Sequence, residues 1–212
     1  MLELSIKTLI AYLLGSLIGS LLVGRLRGVD IRTLGSGNAG GTNALRTQGP
    51  RFAIAVMLID VGKAMVAVGL LPRWWLPGIG IDPGVDRQWL AVGCAIAVVI
   101  GHVYPVWYEF RGGKGAATLI GAVAMLSPLA LVPVLLVWLV SVTLTGYVGL
   151  STMLGSAALP VYYVLHDRSE TALIAFGCAM AAFVVFTHRS NIERMWEGNE
   201  NRARRLWLLR PR

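Results

Sequence analysis

Apolar runs alternate along the chain with short polar stretches, and their lengths suit helices rather than strands. They fall at 4–24, 52–71, 88–108, 115–127, 129–145, 149–166 and 170–187. At roughly 13 to 21 residues, most are about long enough to cross a bilayer as helix. The pattern predicts an all-α integral membrane protein, a seven-transmembrane-helix bundle that forms one membrane-embedded domain over 1–212. The fourth run is short and carries Gly115, which suits a re-entrant start within protein. Only Pro128 parts it from the fifth, and only residues 146–148 part the fifth from the sixth. Within the first run, 9–23 is long for a signal-peptide core and has no convincing A-x-A-like cleavage site, so it is expected to stay as a span.

Composition fits the pattern: 56% of residues are hydrophobic and 14% charged, far from the balance of a soluble domain. Cys94 and Cys178 lie in apolar runs, where thiols act as small hydrophobes, and no redox or metal role is expected of them. The net charge of +8 points to anionic lipids or anionic substrates. No soluble basic domain is present to carry nucleic acid.

The charge is one-sided. Fourteen of the nineteen basic residues fall in the first loop (Arg25, Arg27, Arg32, Arg46, Arg51), the third loop (Arg111, Lys114) and the tail from Arg189 to Arg212. The opposite loops hold Arg73, Arg87 and Arg168. With an odd number of spans, the positive-inside rule puts the N-terminus outside and the C-terminus in the cytoplasm. Trp74, Trp75 and Trp89 suit interfacial anchors on the outer side.

Three polar clusters fall on the basic side. Residues 101–118, GHVYPVWYEFRGGKGAAT, deliver Gly112, Gly113, Lys114 and Gly115 between two apolar runs. Consecutive glycines let backbone amides approach an anion, a following helix start adds its dipole, and Lys114 adds a full charge. The spacing is not that of a Walker A loop. A plain glycine-rich turn with a snorkelling lysine is the alternative. The first loop contains LGSGNAGGTNALR, in which Ser36, Asn38, Thr42 and Asn43 can donate and Arg46 can clamp an anion. Its Gly35-x-Gly37-x-x-Gly40 lacks the preceding strand of a dinucleotide site, and a flexible loop is the competing reading. The third cluster, 188–200, reads HRSNIERMWEGNE. Continued helix would put His188, Asn191, Ile192 and Met195 on one face, with Arg194 near Glu197. Topology anchoring explains its arginines but not His188 and Asn191. Inside the second run, Asp60 and Lys63 stand three apart and suit an inward ion pair, either structural or supporting an active site.

Together these clusters resemble the bacterial acyl-phosphate:glycerol-3-phosphate acyltransferase family, PlsY. Ser36, Asn38, Gly40, Thr42, Asn43 and Arg46 match its first motif. Gly101, His102, Pro105, Phe110, Gly112, Gly113, Lys114, Gly115, Ala117 and Thr118 match its second. His188, Arg189, Asn191, Ile192, Arg194, Gly198 and Glu200 match its third. The likeness covers essentially the whole chain. It departs at Asn199, where Thr is common, and at Ala64, where Gly tends to follow the lysine.

The resemblance implies acyl transfer from acyl phosphate to the 1-hydroxyl of glycerol 3-phosphate, giving lysophosphatidic acid and phosphate, the first step of phospholipid synthesis. It implies catalytic roles for His188, Asn191, Ser36 and Lys114. Substrate and phosphate contacts are expected from Asn38, Thr42, Asn43, Arg46, His102, Gly112, Gly113, Gly115, Thr118, Arg189 and Glu200. No metal, cofactor or obligate protein partner is expected, only the two substrates and membrane lipids, in a bacterial inner membrane with the site at the cytoplasmic face. No His-x4-Asp pair and no Gly-x-Ser-x-Gly elbow occurs in the chain. Acyl phosphate is already activated, so direct transfer by positioning and charge stabilisation is favoured, with His188 as base or orienter. A seven-helix transporter of phosphorylated solutes is the rival reading, but its paired midplane interruptions are not visible.

Overall fold

Inside a bilayer the backbone must satisfy its own hydrogen bonds, and every apolar run accordingly becomes helix. The computed structural model describes residues 1–166 and 168–209, so Arg210 and Arg212 of the basic tail lie outside the described residues. The helices are α1 (Leu2–Gly15), α2 (Gly19–Leu26), α3 (Gly41–Gln48), α4 (Pro50–Gly69), α5 (Arg87–Val103), α6 (Ala116–Leu126), α7 (Leu131–Thr145), α8 (Val148–His166), α9 (Thr171–Thr187) and α10 (Arg189–Trp196). No strand occurs among the described residues. Four segments are long and apolar enough to cross a membrane, at 50–73, 87–108, 128–145 and 148–166. The count is six if the bent pairs α1–α2 (44°) and α9–α10 (51°) each cross once. At 11 residues α6 is shorter, about 16 Å of helix. The chain divides into two compact units, 1–126 and 127–212.

In the first unit α1 packs on α5 and α4 on α6, with α2 and α3 also laid against α4. The α1–α5 crossing is close because small residues face it. A Cβ on Gly15 would stand 2.2 Å from the Val98 carbonyl oxygen, and one on Gly101 would stand 2.2 Å from that of Tyr12. Beside the crossing, Ile18, Ile31, Ala44, Phe52 and Val56 form a buried apolar cluster. Pro50 opens α4 at its first position, where its fixed φ suits a helix start and no amide is needed.

The break between α1 and α2 is a departure from the single run read over 4–24. It is held by tertiary contacts from Asp60 and Lys63 of α4. At the other end of α1, Glu3 and Lys7 are buried and paired at 2.7 Å. Arg87 grips Glu3 through both guanidinium nitrogens, at 2.7 and 2.8 Å. The N-terminal amine pairs with Asp82, and the Asp82 amide donates to Glu3 at 2.8 Å. Hydropathy gave no sign of this cluster.

In the second unit α7, α8 and α9 pack in sequence, and α10 lies against α8 and α9. Gly146, at φ 76°, turns α7 into α8. The tail returns to that turn: the Ala203 amide donates to Gly146 O at 2.8 Å. The Arg202 guanidinium stands over the rings of Tyr147 (4.4 Å) and Trp207 (4.1 Å).

Candidate active site

The first-motif loop is framed by one buried side chain. Asn43 Nδ2 faces the carbonyls of Ile31 (3.2 Å), Leu34 (2.9 Å) and Asn38 (3.1 Å), and Asn43 Oδ1 accepts the Ser36 amide at 3.0 Å. Asn43 is read from the sequence as a substrate contact. The structure buries it to 1% exposure as the frame of the loop. Gly35 and Gly37 take positive φ of 57° and 71° around Ser36, and Ser20 holds the far side by donating to Ala39 O at 2.8 Å. What this frame leaves at the surface is Ser36, Thr42 and Arg46, with Asn38 half-buried. At the loop's entry Asp30 accepts the Arg32 amide at 2.9 Å and pairs with its guanidinium at 2.8 Å. The guanidinium holds the Asp30 carboxyl below its usual range.

Arg32 also joins the first motif to the second by donating to Tyr108 O at 3.4 Å. There the chain leaves α5 and turns through Glu109 and Phe110, both left-handed at φ 57° and 58°. Two successive non-glycine residues in that region cost of order 1–3 kcal/mol each and persist only where the surroundings over-determine them. The surroundings here are plain. The Phe110 amide donates to Pro105 O (3.0 Å), Gly112 to Val103 O (3.1 Å) and Gly113 to His102 O (3.1 Å). The amides of Gly112 and Gly113 therefore tie the loop to the end of α5 instead of converging on an anion. The glycines are needed for closeness: a Cβ on Gly112 would meet His102 O at 2.0 Å, and one on Gly113 would meet His102 Nε2 at 2.2 Å. Lys114 is half-buried, Gly115 turns at φ 86°, and α6 begins. Thr118 is buried, and among the described residues its hydroxyl has no hydrogen-bond partner.

His102 is read from the sequence as a substrate contact as well. The structure sets it beneath the loop at 2% exposure. Its Nδ1 lies 2.9 Å from Lys63 Nζ and 3.4 Å from Asp60. The Asp60–Lys63 pair expected from spacing forms at 3.0 Å, but its extension to His102 had no signal in the sequence.

In the second unit the helix does not run straight through the third motif. It bends by 51° at His188, which ends α9 and precedes α10. His188 Nδ1 lies 2.8 Å from Val184 O. A carbonyl oxygen only accepts, so Nδ1 carries a ring proton, and in the neutral imidazole Nε2 keeps the lone pair. Asn191, one turn on, donates to Glu200 at 2.7 Å. Arg194 pairs with Glu200 at 2.6 Å, not with Glu197 as spacing suggested. The chain turns back at Gly198 (φ 74°), so its next acidic residue reaches both. Arg189 is exposed and stands 4.7 Å over the Phe186 ring.

Comparison with known proteins matches a family model described as glycerol-3-phosphate acyltransferase to residues 5–198. A glycerol-3-phosphate acyltransferase of Chlorobaculum parvum is 36% identical over 216 residues, covering 91% of this chain and 93% of that protein. One from Chlorobaculum tepidum is 34% identical with the same coverage. Among solved structures, the glycerol 3-phosphate form of PlsY (YgiH), an integral membrane glycerol 3-phosphate acyltransferase, superposes with a TM-score of 0.80 at 32% identity, covering 94% of each chain. Its lysophosphatidic acid form gives 0.82 at 29% identity, covering 96% of this chain and 97% of that one.

Proposed function

The chain belongs to the glycerol-3-phosphate acyltransferase family, and on that premise we propose that it acylates the 1-hydroxyl of glycerol 3-phosphate with acyl phosphate as donor. The observation that carries the reading is the pair of solved relatives at 32% and 29% identity, one in a glycerol 3-phosphate form and one in a lysophosphatidic acid form. Those two molecules differ by one acyl group, the acceptor and product of a single transfer. The donor is what the resemblance of the three motifs implies, and the chain's basic and hydroxyl groups and its lack of a nucleophile elbow accord with it.

In the reaction, the glycerol hydroxyl oxygen bonds to the acyl carbonyl carbon, the bond from that carbon to the phosphate oxygen breaks, and the hydroxyl proton leaves with the phosphate. His188 Nε2 orients that hydroxyl or relays its proton, with Asn191 beside it on α10. Lys114 and Arg46 neutralise phosphate charge, and Ser36, Asn38 and Thr42 donate to phosphate oxygens. Asn43, Gly112, Gly113 and Gly115 shape the loops, Thr118 is buried on α6, His102 supports one loop, and Glu200 and Arg189 serve the third motif.

Residues 1–212 work as one acyltransferase domain, supported by a family match that runs through both units. Seven crossings, counting α6 as the fourth, with the N-terminus outside and the C-terminus in the cytoplasm, fit the one-sided arginines. That topology sets the chemistry at the cytoplasmic face of a bacterial inner membrane, where a soluble acceptor can meet a lipid donor. The test is phosphate release by protein purified into lipid, from acyl phosphate with and without glycerol 3-phosphate. Release that depends on the acceptor and yields lysophosphatidic acid is expected, and release indifferent to it would refute the reading.

A further inference from the structure

Asp60 is fully buried and Lys63 is 8% exposed, inside a span where ionisable side chains are costly and mark function more often than decoration. Stability alone does not explain them, since a buried ion pair can usually be replaced by apolar residues without loss. Their remaining contacts are more telling. Lys63 Nζ donates to Gly15 O and Leu17 O, both at 2.8 Å, which are carbonyls at the break between α1 and α2. Asp60 Oδ1 accepts the Gly19 amide at the start of α2, at 3.0 Å. The next contact is His102. Its Nδ1 lies 2.9 Å from Lys63 Nζ and 3.4 Å from Asp60 Oδ1, so the ring is held by the pair. Its Nε2 lies directly under Gly113, and the His102 carbonyl takes the Gly113 amide. One polar chain thus runs from the α1–α2 break, through Lys63 and His102, to the loop that carries Lys114.

We propose that Asp60 and Lys63 are positioning residues for loop 112–115, acting through His102 and fixing where Lys114 meets a substrate phosphate. The inference rests on the acyltransferase reading of that loop. The test is Asp60→Asn combined with Lys63→Met, which removes both charges together and leaves no lone buried ion. Thermal unfolding and steady-state kinetics for each substrate would be measured on protein in lipid. The variant is expected to insert and fold, with KM for one phosphate substrate raised about tenfold, as for one weakened charge-assisted contact, and KM for the other unchanged. A purely structural pair would instead lower kcat through loss of active protein and leave both KM values alone, and that result overturns the proposal. Should the double variant fail to insert, His102→Asn carries the same test: a rise in one KM is expected, and unchanged kinetics overturn the proposal. Wild-type protein that makes no lysophosphatidic acid would refute the function itself, and an active wild type with an unmoved variant would refute only this inference.

Discussion

Asn43 Oδ1 accepts the Ser36 amide at 3.0 Å while its Nδ2 group, with two protons, faces three carbonyls within 3.2 Å. The side chain is fully occupied by its own loop and holds Ser36 at the surface. Asn43→Ala leaves a buried amide and several carbonyls unpaired and should destabilise the protein by about 2–4 kcal/mol. Thermal unfolding in detergent reads that loss. Turnover should fall with it, because Ser36 loses its frame.

Alanine at either of two glycines tests the tie between loop and helix. Gly112→Ala would set a methyl 2.0 Å from a backbone oxygen of His102, whereas Gly113→Ala would set one 2.2 Å from its ring. Backbone yields less readily than a side chain, so Gly112→Ala should be the more damaging. Overpacking of this kind costs about 1–3 kcal/mol. Unfolding midpoints and initial rates of the two variants, side by side, give the order.

Lys114→Ala should remove most activity from a protein that still folds and inserts, since its task is charge at a phosphate. Ser36→Ala should cost less, about 10²–10³-fold at most, the loss of one donor. Neither the wild type nor the Ser36 variant should retain label after exposure to radiolabelled acyl phosphate without acceptor. A stable acyl-protein mapped to Ser36 would end the direct-transfer mechanism and leave the acyltransferase intact.

Asp30 provides a pH-dependent term outside the spans. Arg32 lowers its folded pKa below the ordinary 3.8, so the pair's contribution is fully present above that value and is lost as pH falls through the lower, folded one. The carboxylate is 40% exposed, so solvent screening keeps the effect small. Asp30→Asn should leave unfolding at pH 7 almost unchanged and flatten its acid limb, as thermal melts between pH 7 and 3 would record.

Topology can be read chemically. With Cys94 and Cys178 replaced, single cysteines at Ser36 and Asn199 should label only from the cytoplasmic side. Labelling of either from outside would reverse the proposed orientation of its motif.

The elements were legible because hydropathy acts over whole segments: each apolar run carries a helix. The breaks were not, because they depend on partners distant in sequence. Nothing in residues 16–18 announces the 44° bend of α1 against α2, which Lys63 supports from 46 residues away. Spacing revealed Asp60 beside Lys63 since both lie on one helix, and missed His102 since it comes from another. Motif chemistry found Gly112 and Gly113 but misjudged their amides, whose carbonyl partners appear only when the chain doubles back. The left-handed pair Glu109 and Phe110 had no signal at all, since neither residue favours that conformation.

Glu3 and Arg87 are 84 residues apart in the chain and bound through two nitrogens and two oxygens. During synthesis Glu3 is made long before Arg87, with Lys7 as its only ionic companion among the described pairs until then. The seat of the first helix is therefore provisional while α4 is being made, and becomes final when α5 arrives. A segment translated before α5 thus has its placement settled by it.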